Sequence, residues 1–483
     1  MIYLDTWDFS TYWSTAMLFA VIAAILLIAN ALRRKIPFLK KMLIPTAVLG
    51  GFLALGLKYL MSIFMPDISG RPFLTYTNDT LSIITYHSIA IGFIALTLRK
   101  VEKKKENIGN GSAVKSGLLI VGTYVLQAVL GLFVTISIGS IMSGAMADGK
   151  FSGVLLALGF GQGPGQANNV GMIYSTNTAF AVGKDFGLSI AAIGFLAATL
   201  PGVIYLNYLV KKKKVIRAGD DKAVRVVSSE IEGENEIPLV ESMDKLTVQI
   251  AFVTLIYGFS WVIMELLTVA INASGVAFLI NNVKGLIWGF NFIFAILVTM
   301  IFKKVVSRLK KVKLMNREYT NNYMLNRISG VAFDYMIICG IAAIDIGMLN
   351  DLSVIVALLL MSIIGTIATF IYVNFVTKTA FKEARFENML VFYGNLTGTA
   401  STGIALLREV DPEFKTEASN NLVTGSGMAV VFGGPILLVT GLIYINDAWL
   451  YGSLAFLIVF FLIITAAIVM VSRRVDKKRA QNK

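Results

Sequence analysis

Residues 159–171 read GFGQGPGQANNVG and residues 393–412 read YGNLTGTASTGIALLREVDP. Both stretches are rich in glycine, both are entered from apolar sequence (VLLALGF before the first, MLVF before the second), and both lie among longer apolar runs. Non-helical backbone at membrane depth is tolerated only where it is buried in protein or lines a wet cavity. Glycines let the chain turn there, and a helix restarting after the turn aims unpaired N–H groups and a positive dipole end into the cavity. Gln166, Asn168 and Asn169 follow the first tip, and Thr399, Ser401 and Thr402 follow the second. Two such ends approaching from opposite sides make a site for an anionic solute at the bilayer midplane, and carbonyls freed at the tips suit a small cation such as sodium. The plainer alternative is that the glycines only permit close helix packing.

The composition supports a membrane setting. Of 483 residues, 56% are hydrophobic and 15% charged, with a mean hydropathy of +0.74, whereas about a quarter of a water-soluble domain is charged. The net charge of +14 does not describe a nucleic-acid binder, because the basic residues sit in loops between apolar runs and not on one face. One Cys and one His exclude an intramolecular disulfide, a Cys/His zinc site and a haem or iron–sulfur ligand set. Eleven apolar runs meet the length of roughly 17–25 residues that a span needs: 13–32, 42–61, 81–98, 116–143, 186–210, 246–270, 283–302, 328–349, 352–376, 421–445 and 449–471. The start MIYLDTWDFS lacks the basic region of a secretory signal, so the first span is expected to be retained.

Six clusters, at 33–41, 99–115, 211–245, 303–327, 378–385 and 473–483, hold 36 of the 43 Lys and Arg residues. The positive-inside rule places all six in the cytoplasm, with the N-terminus outside and the C-terminus inside. Stretch 151–175 then starts and ends outside and 388–410 starts and ends inside, so each is a membrane-dipping hairpin or a surface loop, and the apolar flanks favour a dip. The expected fold is an all-α polytopic membrane protein of two inverted five-span repeats, each with a re-entrant hairpin, plus one extra C-terminal span. Residues 1–210 form the first repeat, 211–245 a flexible cytosolic linker, 246–445 the second repeat, and 446–483 the extra span and basic tail. Inverted repeats with broken segments at matching places are a transporter signature.

Charged groups inside spans are the next candidates. Asp334 and Asp345 are eleven residues apart, about 16 Å on one helix, and read either as ligands of a cation or proton, or partners of a substrate amine, or as structural or wet aspartates. Arg408 reads either as a bidentate partner for a substrate carboxylate or as a cytosolic charge paired with Glu409. Lys58 and Glu265 fall near span ends and read as wet or snorkelling, and His87 reads as a helix contact more readily than as a proton relay.

With GNLTGTASTGIALL (residues 394–407) as its strongest motif, the chain resembles the glutamate:sodium symporter family of bacterial secondary transporters over residues 13–445. The resemblance implies sodium-coupled symport of L-glutamate in the cell membrane, a homodimer, and alternating access by a domain that carries the hairpins. It places the substrate and ion region on residues 161–169 and 395–402, within which Gln162, Gly163, Gly165, Gln166, Asn168, Asn169, Thr397, Gly398, Thr399, Ser401 and Thr402 are the substrate candidates and Asn395 a sodium candidate; Arg408 joins the substrate candidates, and Asp334 and Asp345 the sodium candidates, on their charge alone. No other cofactor and no nucleic-acid partner is implied. The eleventh span and long loops depart from the family pattern, and Gln162, Pro164 and Gln166 are not matched to glutamate selectivity, which leaves another amino acid or a carboxylate, coupled to sodium or protons, as the alternative substrate reading. A channel with re-entrant loops is less favoured, since it more often repeats short pore segments between subunits. An aspartyl protease needs carboxylates about 3 Å apart, and no GxxxxGK[ST] loop of an ATP-driven pump occurs. The chain is therefore not expected to be an enzyme.

Overall fold

A computed structural model describes residues 9–64, 78–100, 111–217, 244–315, 317–412 and 415–481. Most of the linker expected at 211–245 lies outside the described residues, as do the ends 1–8 and 482–483. Every regular element among the described residues is helical. Among the described residues nine helices are long and apolar enough to cross a membrane, and two bent pairs raise the number of candidate spans to eleven. The chain is a multi-span, all-α membrane protein.

The α-helices of six residues or more are α1 (Phe9–Lys35), α2 (Thr46–Phe64), α3 (Asn78–Leu98), α4 (Gly111–Ile141), α5 (Leu155–Gln162), α6 (Pro164–Asn177), α7 (Gly183–Lys211), α8 (Lys245–Ser274), α9 (Lys284–Gly289), α10 (Asn291–Lys311), α11 (Asn322–Ala342), α12 (Leu352–Ala380), α13 (Arg385–Thr397), α14 (Ala400–Arg408), α15 (Ala418–Phe432), α16 (Gly434–Leu442) and α17 (Asp447–Gln481). Each of the eleven apolar runs carries a helix, but two of the runs are not straight. The run at 283–302 bends by 66° between α9 and α10, and the run at 421–445 bends by 50° between α15 and α16. At the first bend the freed carbonyls of Trp288 and Gly289 accept from Tyr86 Oη (2.8 Å) and Asn169 Nδ2 (2.9 Å), so the break leaves neither of them unpaired.

The helices sort into two groups by packing. In one, α3 lies along α11, α2 along α11, α10 along α3, and α1 and α8 pack on α2 and α10. In the other, α4 packs on α12, α15 and α17, and the two hairpins α5–α6 and α13–α14 lean on α4, α7 and α12. Contact between the groups runs chiefly through α6 and α7.

Two expectations about charged residues are corrected. Asp345 does not share a helix with Asp334: α11 ends at Ala342, and the Asp345 carboxylate caps a following 3-10 turn by accepting from Gly347 N (2.8 Å), the local competition with helix that Asp favours. Lys58 does not snorkel. Its Nζ donates to Ala342 O (2.7 Å), Ile344 O (3.0 Å) and Asn78 Oδ1 (2.7 Å), capping the carbonyl end of α11 with a cation.

At the end of the bundle that carries the basic loops, Glu318 pairs with Lys100 (2.6 Å) and Lys310. Burial raises the proton affinity of Glu318, but the two ammonium groups outweigh it and hold the carboxyl below its ordinary range.

Candidate functional site

Each hairpin re-enters along the span that precedes it. After α4 the chain turns at Ala145, whose N–H is held by the Asp351 carboxylate (2.6 Å). Asp351 also accepts from Ser353 N (2.8 Å) and Ser353 Oγ (2.6 Å). Burial works against its ionisation, but these donors prevail and keep the carboxyl below the usual range. The chain then runs back beside α4, with Thr135 Oγ1 donating to Lys150 O (2.6 Å) and Tyr124 Oη donating to Gly161 O (2.9 Å). The second hairpin runs back beside α12 in the same way: Phe370 packs edge-on to Tyr393, with ring centroids 5.6 Å apart, and Phe381 packs on Phe392.

The first tip is Gly163, at φ +79°, ψ −170°, a conformation essentially confined to glycine. Pro164 follows at the first helical position, where its missing N–H costs nothing. The second tip is Gly398–Thr399, with Thr399 extended and Ala400 opening α14. Neither α6 nor α14 has a side-chain cap, so no side chain of the N-cap residue takes up the first-turn N–H groups of either helix.

The two tips meet. A methyl added at Gly163 would lie 3.3 Å from Thr399 Cγ2. Both lean on the middle of α7, where Gly194 touches Phe160 of the first hairpin and the Thr397 carbonyl of the second, and Tyr393 Oη donates to Ala197 O (2.8 Å). The meeting point thus sits about halfway along a 29-residue helix.

Around it the expected residues divide. Gly163, Gly165, Gln166, Gly398, Thr399 and Thr402 belong to the two restarting helix ends or their caps, and Thr399 Oγ1 lies 3.4 Å from Thr402 Oγ1. Gln166 is 1% exposed, and neither of its amide atoms has a partner. Asn168 is bonded to Ser82 O (3.3 Å) through Nδ2 while its Oδ1 has no partner, and Asn169 is spent on the α9–α10 break. Gln162 ends α5, half-buried, and Ser401 is exposed. Thr397 Oγ1 bonds back to Tyr393 O (2.7 Å), a local bond that occupies the hydroxyl's proton, and Asn395 is buried in α13.

Three expected residues are not at the tips. Arg408 is the exposed last residue of α14, about 13 Å along the axis from Thr399. Glu409 is engaged by Arg217 (2.6 Å), not set aside for Arg408 alone. Asp334 lies on an exposed face of α11 with Val331 and Gly330. Asp345 is held by Tyr59 Oη (2.9 Å) at the end of the bundle away from the basic loops.

Two residues that the sequence reading passed over hold both tips. On α4, one turn apart, Tyr124 bonds the Gly161 carbonyl and Gln127 Nε2 bonds the Leu396 carbonyl (2.8 Å) and Thr369 Oγ1 (2.8 Å). The signal for them was present as the one amide and the one phenol in the apolar run 116–143.

No family model, curated protein or solved structure matches the chain. What stands is the class: a polytopic, all-α membrane protein in which two interrupted hairpins meet at mid-span.

Proposed function

We propose that the protein is a secondary transporter that carries out sodium-coupled symport of L-glutamate by alternating access, with its basic loops and C-terminus in the cytoplasm of a cell expressing it in the plasma membrane, and that it works as a homodimer. The observation that carries this reading is the meeting of the two uncapped helix starts beside a buried, unpartnered Gln166. Helix N-termini supply a positive potential and free N–H groups for a carboxylate, and an unpaired buried amide costs about 1–3 kcal/mol, which a polar ligand relieves. The packing also fits two inverted five-span repeats: α3 against α11 and α4 against α12 pair equivalent spans of the two halves, and each hairpin follows its own fourth span. The first three spans of each half form one group, and the fourth, the hairpin and the fifth form the other, a division that suits one group moving against the other.

Arg408 stands away from the tips, which favours a second substrate reading. An amino acid or carboxylate without an acidic side chain would be held by the same amides and hydroxyls. Uptake into proteoliposomes with a substrate panel tests both. We expect accumulation of glutamate under an inward sodium gradient. Equal uptake with sodium replaced by choline and a proton gradient supplied contradicts sodium coupling, and accumulation of a neutral amino acid in preference to glutamate contradicts the substrate.

A further inference from the structure

The restarting helices α6 and α14 offer N-termini at the tips, but the arms that enter them, α5 and α13, end there with their C-termini. Those ends carry unpaired carbonyls and a negative dipole, and α4 gathers both. Tyr124 takes the Gly161 carbonyl of α5, and Gln127, one turn further, takes the Leu396 carbonyl of α13. The Gln127 amide cannot be turned round, because the Leu396 oxygen only accepts, so the Nε2 group must face it. Its second proton goes to Thr369 Oγ1 on α12. This leaves Gln127 Oε1 fixed, 0% exposed and without a partner.

From this geometry we infer that Gln127 Oε1, on the amide whose Nε2 holds the Leu396 carbonyl of α13 and one turn along α4 from the Tyr124 that holds the Gly161 carbonyl of α5, is a ligand of the transported cation, on the α4 side of the tips and distinct from the anionic site at the α6 and α14 helix starts. The cation is of the alkali class. Among the described residues no three His, Cys, Asp or Glu side chains converge on a metal-holding point, and neutral amide and carbonyl oxygens suit a singly charged hard ion better than a divalent one, which takes carboxylates. Each carbonyl keeps a second lone pair after its hydrogen bond, so Gly161 and Leu396 oxygens remain usable. Cation and substrate anion then sit on opposite sides of one contact between tips, and filling either site orders the same two turns, a direct physical route to coupled binding. The inference rests on the transporter reading for its cargo.

The test uses the purified full-length protein without substrate, comparing thermal unfolding midpoints in sodium chloride and choline chloride at equal ionic strength. Sodium raises the midpoint of the unmodified protein in a saturable way. Gln127→Leu shifts the half-saturating sodium concentration upward by about tenfold or more, as loss of one buried ligand implies. Gln127→Glu, which keeps an oxygen at the same reach and adds charge, retains a sodium response at least as strong as the original, and it decides the matter if the leucine variant does not fold. An unchanged sodium response in Gln127→Leu, a lost one in Gln127→Glu, or equal midpoints for the unmodified protein in both salts overturns the inference. Uptake that proceeds without any sodium shift removes the cation site and leaves the transporter reading. A sodium shift that Gln127→Leu abolishes, in a protein that transports nothing, keeps the site and removes that reading.

Discussion

The two hairpins have the same design and opposite surroundings. In the first, residues 164–171 of α6 are all buried, packed on α7 of their own group and on α3 and α11 of the other. In the second, α14 packs on α13, α7 and α15, within its own group, and Ala400, Ser401 and Arg408 are exposed. The closed side is also fastened by polar contacts between the groups: Asn168 to Ser82, Lys184 to Asp79 (3.4 Å), and Asp345 N–H to the Asp185 carboxylate (2.9 Å). One tip is shut in and the other opens on its outgoing arm. In the proposed cycle this is the state open toward the cytoplasm, with the outer hairpin as the closed gate.

The largest effect is expected where the two tips differ in backbone. Gly163→Ala places a Cβ in a region that costs a non-glycine residue about 1–3 kcal/mol and presses on Thr399, so it should abolish uptake and lower the unfolding midpoint by several degrees. Gly398 has a negative φ of −134°, so a side chain there costs crowding and not left-handed strain, an added Cβ lying 3.0 Å from Ala198 Cβ and 3.1 Å from Thr402 Oγ1, and Gly398→Ala should keep a small but measurable fraction of uptake. Equal loss in both would break the comparison.

Next comes Gln166→Leu. Removing an unpaired buried amide should stabilise the substrate-free protein by about 1–3 kcal/mol while cutting substrate affinity at least tenfold, so thermal stability and uptake move in opposite directions. A variant that is both less stable and fully active would remove Gln166 from the site. Asp185→Ala deletes the acceptor for the Asp345 N–H and should loosen the closed side, raising the labelling rate of a Gln166→Cys probe from that side by roughly two- to fivefold, as a contact worth about 0.5–1 kcal/mol implies. The smallest effect is reserved for Arg408→Gln. Because Arg408 is the exposed last residue of α14, away from the tips, the apparent glutamate affinity should change less than about twofold, near the limit for a solvent-exposed charge; a hundredfold loss would show that it reaches the substrate.

Much of this is legible in the sequence. The eleven runs, the two tips and their glycines follow from hydropathy and from the need to turn inside a membrane. The bends at Gly289–Asn291 and Gly433 do not, because hydropathy records composition along the chain and not its direction. Asp345 was misplaced for a local reason: its side chain binds Gly347 N–H and ends the helical pattern that spacing alone continues. Tyr124 and Gln127 stand out as polar residues in an apolar run, but their partners were invisible for a distant reason, since they meet carbonyls 37 and 269 positions further on, and no periodicity reports such contacts.

In the proposed cycle the exposed tip is the substrate site and opens toward the basic end. In a Cys339→Ser background, Ser401→Cys should react with a membrane-impermeant maleimide applied from the side of the basic loops, and glutamate with sodium together should suppress that reaction. Reaction from the opposite side at the same rate, or a rate indifferent to both solutes, would contradict it.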